Sequence, residues 1–95
     1  MAAYVIADIR VTDPVQYEEY KRLAAPTVAA HGGKYTVRGG AAETLEGDWV
    51  PERVVVLEFP SAEQARQWWS SDSYEAAKVI RHSSAESRLI LVEGV

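Results

Sequence analysis

Residues 34–59, KYTVRGGAAETLEGDWVPERVVVLEF, decide how the rest of the chain is read. Two strand-like arms stand at its ends. Lys34–Arg38 form the first, and the valine-rich run Arg53–Phe59 forms the second, with β-branched and aromatic residues of the kind strands favour. Gly39-Gly40 predict a bulge or bend within the first arm. Glu46-Gly47-Asp48 predict the turn. The stretch is therefore a long hairpin.

Working outward, each side of the hairpin carries a helix and then a strand. On the N-terminal side, Gly32-Gly33 end a helix, because glycine suits the left-handed position after a last turn. Tyr17, Tyr20, Ala24 and Val28 recur at helical spacing before it. Thr12 or Asp13 is its cap, with Pro14 in the first turn. Pro26 lies inside the pattern and is expected to kink or divide the helix. Before that, residues 3–11, AYVIADIRV, alternate as a strand, with Val5, Ala7, Ile9 and Val11 on one side. On the C-terminal side, Pro60 stops the hairpin. Ser61–Gln64 form a capping box for a second helix whose apolar face is Ala65, Trp68 and Trp69. A second box, Asp72–Glu75, opens a third helix with Tyr74, Ala77 and Ile80 expected inward. Leu89–Glu93 form the last strand.

The order strand-helix-strand-strand-helix-strand predicts one domain over residues 1–95, of α+β class. It is a ferredoxin-like βαββαβ fold: a four-stranded antiparallel sheet with helices on one face. The expected strand order is 4-1-3-2, and the central pair, strands one and three, is expected to be the exception that runs parallel. The alternation gives the sheet two unlike faces. One collects Val5, Ala7, Ile9, Val11, Tyr35, Val37, Val55, Leu57, Phe59, Leu89 and Leu91 and is suited to a helix layer. On the other, Tyr4, Ile6, Val54, Val56, Ile90 and Val92 are expected at one end. Asp8, Arg10, Lys34, Glu58 and Arg88 are expected together at the opposite end. An apolar patch of that kind marks an interaction surface. A second copy of the sheet would cover it, giving a homodimer in the form of a dimeric α/β barrel.

Composition narrows the function classes. The chain is 47% hydrophobic and 25% charged, with a net charge of -4, so it is globular and lacks the basic footprint of a nucleic-acid binder. It has no cysteine, which excludes disulfides and thiolate chemistry. The opening MAAYVIADIRV is too short and too charged for a membrane span or a signal peptide. A cytoplasmic location is the default expectation. No cofactor, no metal, no nucleic acid and no membrane partner are expected.

Several segments together resemble a known family. They are Gly33 through Arg38-Gly39-Gly40, Leu45-Glu46-Gly47-Asp48-Trp49, and the run from Arg53 to Ser61. Ala65, Trp69, Ser73-Tyr74, Arg81 and Val92-Glu93-Gly94 extend the likeness over nearly the whole chain. The family is the domain of unknown function numbered 1330, DUF1330. The resemblance implies the dimeric α/β-barrel superfamily, in which two ferredoxin-like sheets face one another. That superfamily includes cofactor-independent monooxygenases, muconolactone-type isomerases, haem-degrading enzymes and stress-responsive proteins. DUF1330 itself has no established activity, so no catalytic residue is carried over.

The residues offer few chemical motifs. His31 stands at a helix end, where a cation is favoured, and His82 could face a pocket between helices and sheet. Neither has partners at metal-ligand spacing. No nucleophile elbow and no phosphate loop are visible. The carboxylates Asp8, Glu46 and Glu58 would need to converge to hold a metal. Tyr17, Tyr20, Tyr35, Trp68, Trp69 and Tyr74 are expected chiefly in the core and could wall a pocket. The charged group Asp8, Arg10, Lys34, Arg38, Glu58 and Arg88 has a local excess of positive charge. It reads either as dimer salt bridges or as an anion site, since guanidinium binds carboxylate with two parallel bonds. Arg38 stands apart from the others and could instead meet Glu46.

Two functions follow. In the first, the domain binds or transforms a small anionic or aromatic organic molecule. Arg38, Trp69, Tyr74 and Arg81 are then the ligand-binding candidates, and Asp8 or Glu58 the candidate catalytic base. In the second, it is a non-catalytic dimeric stress or regulatory module, and the charges only set dimer register.

Overall fold

The computed structural model describes all residues, 1–95. Its elements are β1 (Ala3–Val11), α1 (Pro14–Ala30), β2 (Lys34–Arg38), β3 (Val54–Phe59), α2 (Ala62–Trp69), α3 (Asp72–Ser84) and β4 (Ala85–Glu93). The single sheet has the order β2-β3-β1-β4, the α+β ferredoxin-like arrangement expected. No helix is long and apolar enough to cross a membrane.

The central pair corrects one expectation. β1 and β3 are antiparallel, not parallel. The α1 crossover brings β2 back along the direction of β1. The hairpin then reverses the chain, so β3, lying between them, opposes both. All three pairings are antiparallel.

The helix ends follow their capping residues. Asp13 accepts the Gln16 N–H at the start of α1, and Ser61 accepts the Gln64 N–H at the start of α2. Ser71, not Asp72, caps α3 by accepting the Tyr74 N–H, and Asp72 falls in the first turn, where a negative charge suits the helix dipole. α1 runs unbroken through Pro26. At its end Gly32 has φ 78° and the Gly33 N–H donates back to the Val28 carbonyl at 2.9 Å. Phe59 closes over this turn. A Cβ on Gly33 would lie 2.6 Å from its ring, so only glycine fits.

β4 begins earlier than its apolar run predicts, because Ala85 to Arg88 pair with Val11 to Asp8 of β1. The core lies between the sheet and the helices. Aromatic rings connect it in series: Phe59 to Trp68 at 5.5 Å between centroids, Trp68 to Tyr74 at 4.2 Å, Tyr74 to Tyr20 at 6.4 Å and Tyr20 to Tyr17 at 5.3 Å. The buried polar tips are satisfied. The Trp68 indole donates to Thr27 Oγ1 at 3.1 Å, and the Tyr20 and Tyr74 hydroxyls are 2.9 Å apart.

The inward face of α3 departs from expectation. Tyr74, Ala77, Lys78, Arg81 and Ser84 are buried, and Ile80 is only partly so. Lys78 is covered by lying 3.6 Å from the centroid of the Trp69 ring, which is itself half exposed. Long cationic side chains cover apolar surface in this way while their heads seek a π face or water.

Candidate functional site

Antiparallel pairing separates the charges that were expected at one end of the open sheet face. Glu58 pairs with Tyr4 and Lys34, at one end. Asp8 pairs with Val54 and Arg88, and Arg10 with Glu86, at the other. Each cation there has its own carboxylate: Lys34–Glu58 at 3.4 Å, Arg88–Asp8 at 3.2 Å and Arg10–Glu86 at 2.7 Å. Ile6, Val56 and Ile90 form an apolar row between the two ends. The local positive excess expected on this face is absent, because Arg38 has left the face and Glu86, outside the expected group, matches Arg10.

A bulge in β2 removes it. Tyr35 pairs with Leu57, but Val37 pairs with Val56 and Arg38 with Val55, so Thr36 is the extra residue. One extra residue inverts the alternation beyond it. Val37 therefore joins the open face and is partly exposed, contrary to its expected inward phase. Arg38 turns to the helix side and stacks 4.3 Å above the Tyr35 ring, with no ion pair to Glu46. The irregularity is within the strand, not at Gly39-Gly40. Gly39 follows it with φ 72°.

On the helix side Arg38 meets a cavity of about 30 Å³, lined by β1 and β3 below and by Tyr17, Tyr20, Tyr35 and Trp68 around it. Such a volume holds a water or two. Four cations line it, Lys21, Arg38, Arg53 and Arg81, and no carboxylate or histidine does. Lys21 is matched by Glu18 at 2.8 Å. The three arginines have no carboxylate within ion-pair distance. Arg81 is 3% exposed. Its Nη1 donates to the Ser87 hydroxyl, while its Nε and that of Arg53 are buried with no partner. Arg53 and Arg81 face the Tyr17 and Tyr20 rings at 5.7 Å and 5.9 Å.

Of the four ligand-binding candidates, Arg38 and Arg81 line this cavity. Tyr74 stands behind it, fully buried, and reaches it through the Tyr20 hydroxyl. Trp69 faces a separate open cleft with Arg81, His82 and Ser87, so Arg81 lies between cleft and cavity. Lys21 and Arg53 are additions that sequence reasoning missed. Their signals were present: Lys21 follows the inward Tyr17 by one helical turn, and Arg53 shares the inward parity of Val55 and Leu57.

The tyrosines at the cavity are held neutral. Burial pushes the Tyr20 phenol well above its ordinary range, and the adjoining Tyr74 hydroxyl adds to the shift. Burial also raises Tyr35, although Arg38 acts against it.

Asp8 and Glu58 lie on the opposite, open face. Asp8 accepts from the Trp49 indole at 2.9 Å and the Glu52 N–H at 3.1 Å, as well as from Arg88. The Trp49 bond holds its carboxyl below the usual range despite desolvation, helped by the Glu52 N–H and Arg88. These bonds lay the 39–53 loop over the open face beside Ile6, Val54 and Ile90, forming a groove of about 670 Å³. His31 caps α1, its Nδ1 2.8 Å from the Thr27 carbonyl.

The family profile for the domain of unknown function DUF1330 matches residues 2–95. The chain belongs to DUF1330. No curated protein matches the chain. Among solved structures, a protein of unknown function from Rhodopseudomonas palustris is 23% identical with a TM-score of 0.77, over 99% of this chain and 82% of that one. The cofactor-independent oxygenase SnoaB from Streptomyces nogalater is 13% identical with a TM-score of 0.64, over 99% and 92%. A conserved protein from Methanosarcina mazei is 18% identical with a TM-score of 0.62, over 100% and 94%. These likenesses show a shared fold. This chain thus shares its overall fold with SnoaB.

Proposed function

We propose that this DUF1330 chain binds a small organic anion, apolar or aromatic in body, in the cavity between its helices and its sheet, and that it does so as a homodimer. One observation carries the reading: Arg81 is buried, its Nε has no partner, and no carboxylate lies within ion-pair distance of it. Removing a charge from water without a counter-charge costs several kcal/mol. Water in so small a space supplies hydrogen bonds but no opposite charge. An anion supplies both. Arg38 and Arg53 at the mouth extend the positive field inward along low-dielectric walls.

The lining favours binding over proton abstraction. It has no carboxylate or imidazole, and its phenols Tyr20 and Tyr35 hold their protons more firmly than usual. This supports the reading of a non-catalytic binding module over an enzyme that uses Asp8 or Glu58 on a ligand in the cavity. The cofactor-independent oxygenase among the fold relatives keeps small-molecule turnover as the competing reading. Dimer formation rests on the exposed Val37, Ile90 and Val92 of the open sheet face.

A thermal-shift screen of aromatic and aliphatic carboxylates tests the reading on the parent, Arg38→Ala and Arg81→Gln. Specific ligands raise the melting point with the logarithm of concentration. The expected result is stabilisation of the parent, weakened in Arg38→Ala and abolished in Arg81→Gln. Equal response of all three proteins contradicts it.

A further inference from the structure

The three unmatched arginines approach the cavity from opposite halves of the sheet. Arg81 holds Ser87, which belongs to the edge strand β4. Arg53 ends against Gly39, which closes the other edge strand, β2. A Cβ at Gly39 would lie 2.1 Å from Arg53 Nη1, so the guanidinium occupies the space a side chain would take.

One row of backbone contacts joins these anchors. Ser87 pairs with Ile9, the Ile9 N–H donates to the Arg53 carbonyl, and the Gly39 N–H donates to Val54. The row crosses all four strands. At a strand spacing of about 4.8 Å, the anchors are roughly 14 Å apart along the sheet. Above the row, Tyr20 stands by Arg81 and Tyr17 by Arg53, with 5.3 Å between the two ring centroids. Arg38 stacks on Tyr35 at the Arg53 end. The surface between the charged ends is therefore phenol ring and aliphatic side chain.

We infer that the ligand is an elongated organic dianion, with one anionic group at Arg81, the second at Arg53 and Arg38, and an apolar or aromatic body lying along Tyr20 and Tyr17. The inference rests on the anion-binding reading above and specifies its ligand. Charge decides between one anionic group and two. Glu18 matches Lys21, which leaves three positive charges at the cavity without a carboxylate. A monoanion held at Arg81 would leave Arg53 and Arg38 uncompensated at the other end. At about 30 Å³ the cavity holds only water, so an organic ligand requires side chains around it to move. Arg38 is exposed and Arg53 half-buried, so both can swing outward to receive a ligand's distal group, whereas Arg81 is enclosed.

Titration calorimetry of the full chain with linear dicarboxylates, each paired with the monocarboxylate of the same chain length, tests this. A charge-assisted pair at the distal end is worth about tenfold or more in affinity. Dicarboxylates of one preferred length are expected to bind the parent at least that much more tightly than their monocarboxylate partners. In Arg53→Gln, and more completely in Arg38→Gln/Arg53→Gln, the advantage of the dicarboxylate over its monocarboxylate partner is expected to vanish. Equal binding of both by the parent overturns the two-ended ligand and leaves the anion site standing. So does a dicarboxylate preference that survives the double substitution. Binding of neither overturns the anion site itself.

Discussion

The Arg81 guanidinium reaches across from α3 to the Ser87 hydroxyl on β4, a neutral acceptor for a buried charge. No carboxylate within ion-pair distance matches that charge. Tyr74 and Ala77 precede Arg81 on the same helix face and are fully buried, so an apolar side chain would continue the stripe. Arg81→Met is expected to leave the free protein equally stable or to stabilise it by about 1–3 kcal/mol, the pattern seen when buried charges give way to apolar groups of similar volume. Urea unfolding measures this. The same variant is expected to lose all stabilisation by carboxylates. Destabilisation by more than about 2 kcal/mol would show that Arg81 serves the fold.

The open face gives a test of assembly. Ile90 is 58% exposed in the single chain, so Ile90→Glu should cost the monomer less than about 0.5 kcal/mol. In a dimer packed through this face the same carboxylate is buried against apolar partners. Sedimentation at micromolar concentration is expected to show the parent as a dimer and both Ile90→Glu and Val56→Asp as monomers. A monomeric parent contradicts the assembly.

Much of this fold was legible because local chemistry and tertiary need agreed. Asp13, Ser61 and Gly32 mark element ends through hydrogen bonds made within a few residues. The inward parity of β1 and β3 follows from alternation alone. The bulge at Thr36 was not legible, since no glycine or proline marks it, and it alone moves Arg38 to the cavity. Arg81 and Lys78 lie at inward helical spacing, although charged side chains are ordinarily exposed. The aromatic rings that receive them come from other elements. The hydrogen bond from Trp49 to Asp8 spans 41 residues and depends on where a long loop settles. The direction of the central pair was readable from topology, because a crossover followed by a hairpin admits only the antiparallel outcome.

The tyrosines predict an alkaline limit. The folded-state pKa values of Tyr20 and Tyr35 are raised by burial, so folding favours their protonated forms. That stabilisation is complete below the unfolded phenol value, near pH 10, and is lost as pH rises above it toward the folded values. Urea midpoints are expected to hold on the neutral side of this window and to fall above it. Tyr35→Phe keeps the ring and is expected to make the fall shallower. An unchanged slope would mean that Tyr35 is not desolvated in solution.

Asp8 predicts the acid counterpart. Its folded pKa is lowered, chiefly by the Trp49 hydrogen bond, so its contribution is present above the unfolded value and lost as pH falls through the folded one. Below about pH 4 the 39–53 loop is expected to loosen first. Amide exchange at Glu52, whose N–H donates to Asp8, is the readout. Its protection, exchange relative to the intrinsic rate at the same pH, should fall in acid and, at neutral pH, in Asp8→Ala. Protection at Glu52 that is insensitive to acid and unchanged in Asp8→Ala would contradict the tie.

The anion site is tested most directly by the guanidinium Nε–Hε resonances of the arginines, followed by NMR during titration with the best carboxylate from the thermal screen. Arg81 Nε is buried and unpartnered, whereas Arg66 is exposed on α2 and serves as an internal control. The account predicts a saturable shift of the Arg81 signal, followed by Arg53 and Arg38, with slowed exchange of the Arg81 proton and no change at Arg66. Saturable binding that leaves Arg81 unmoved, or shifts that grow equally at Arg66 and Arg81 without saturation, would contradict it.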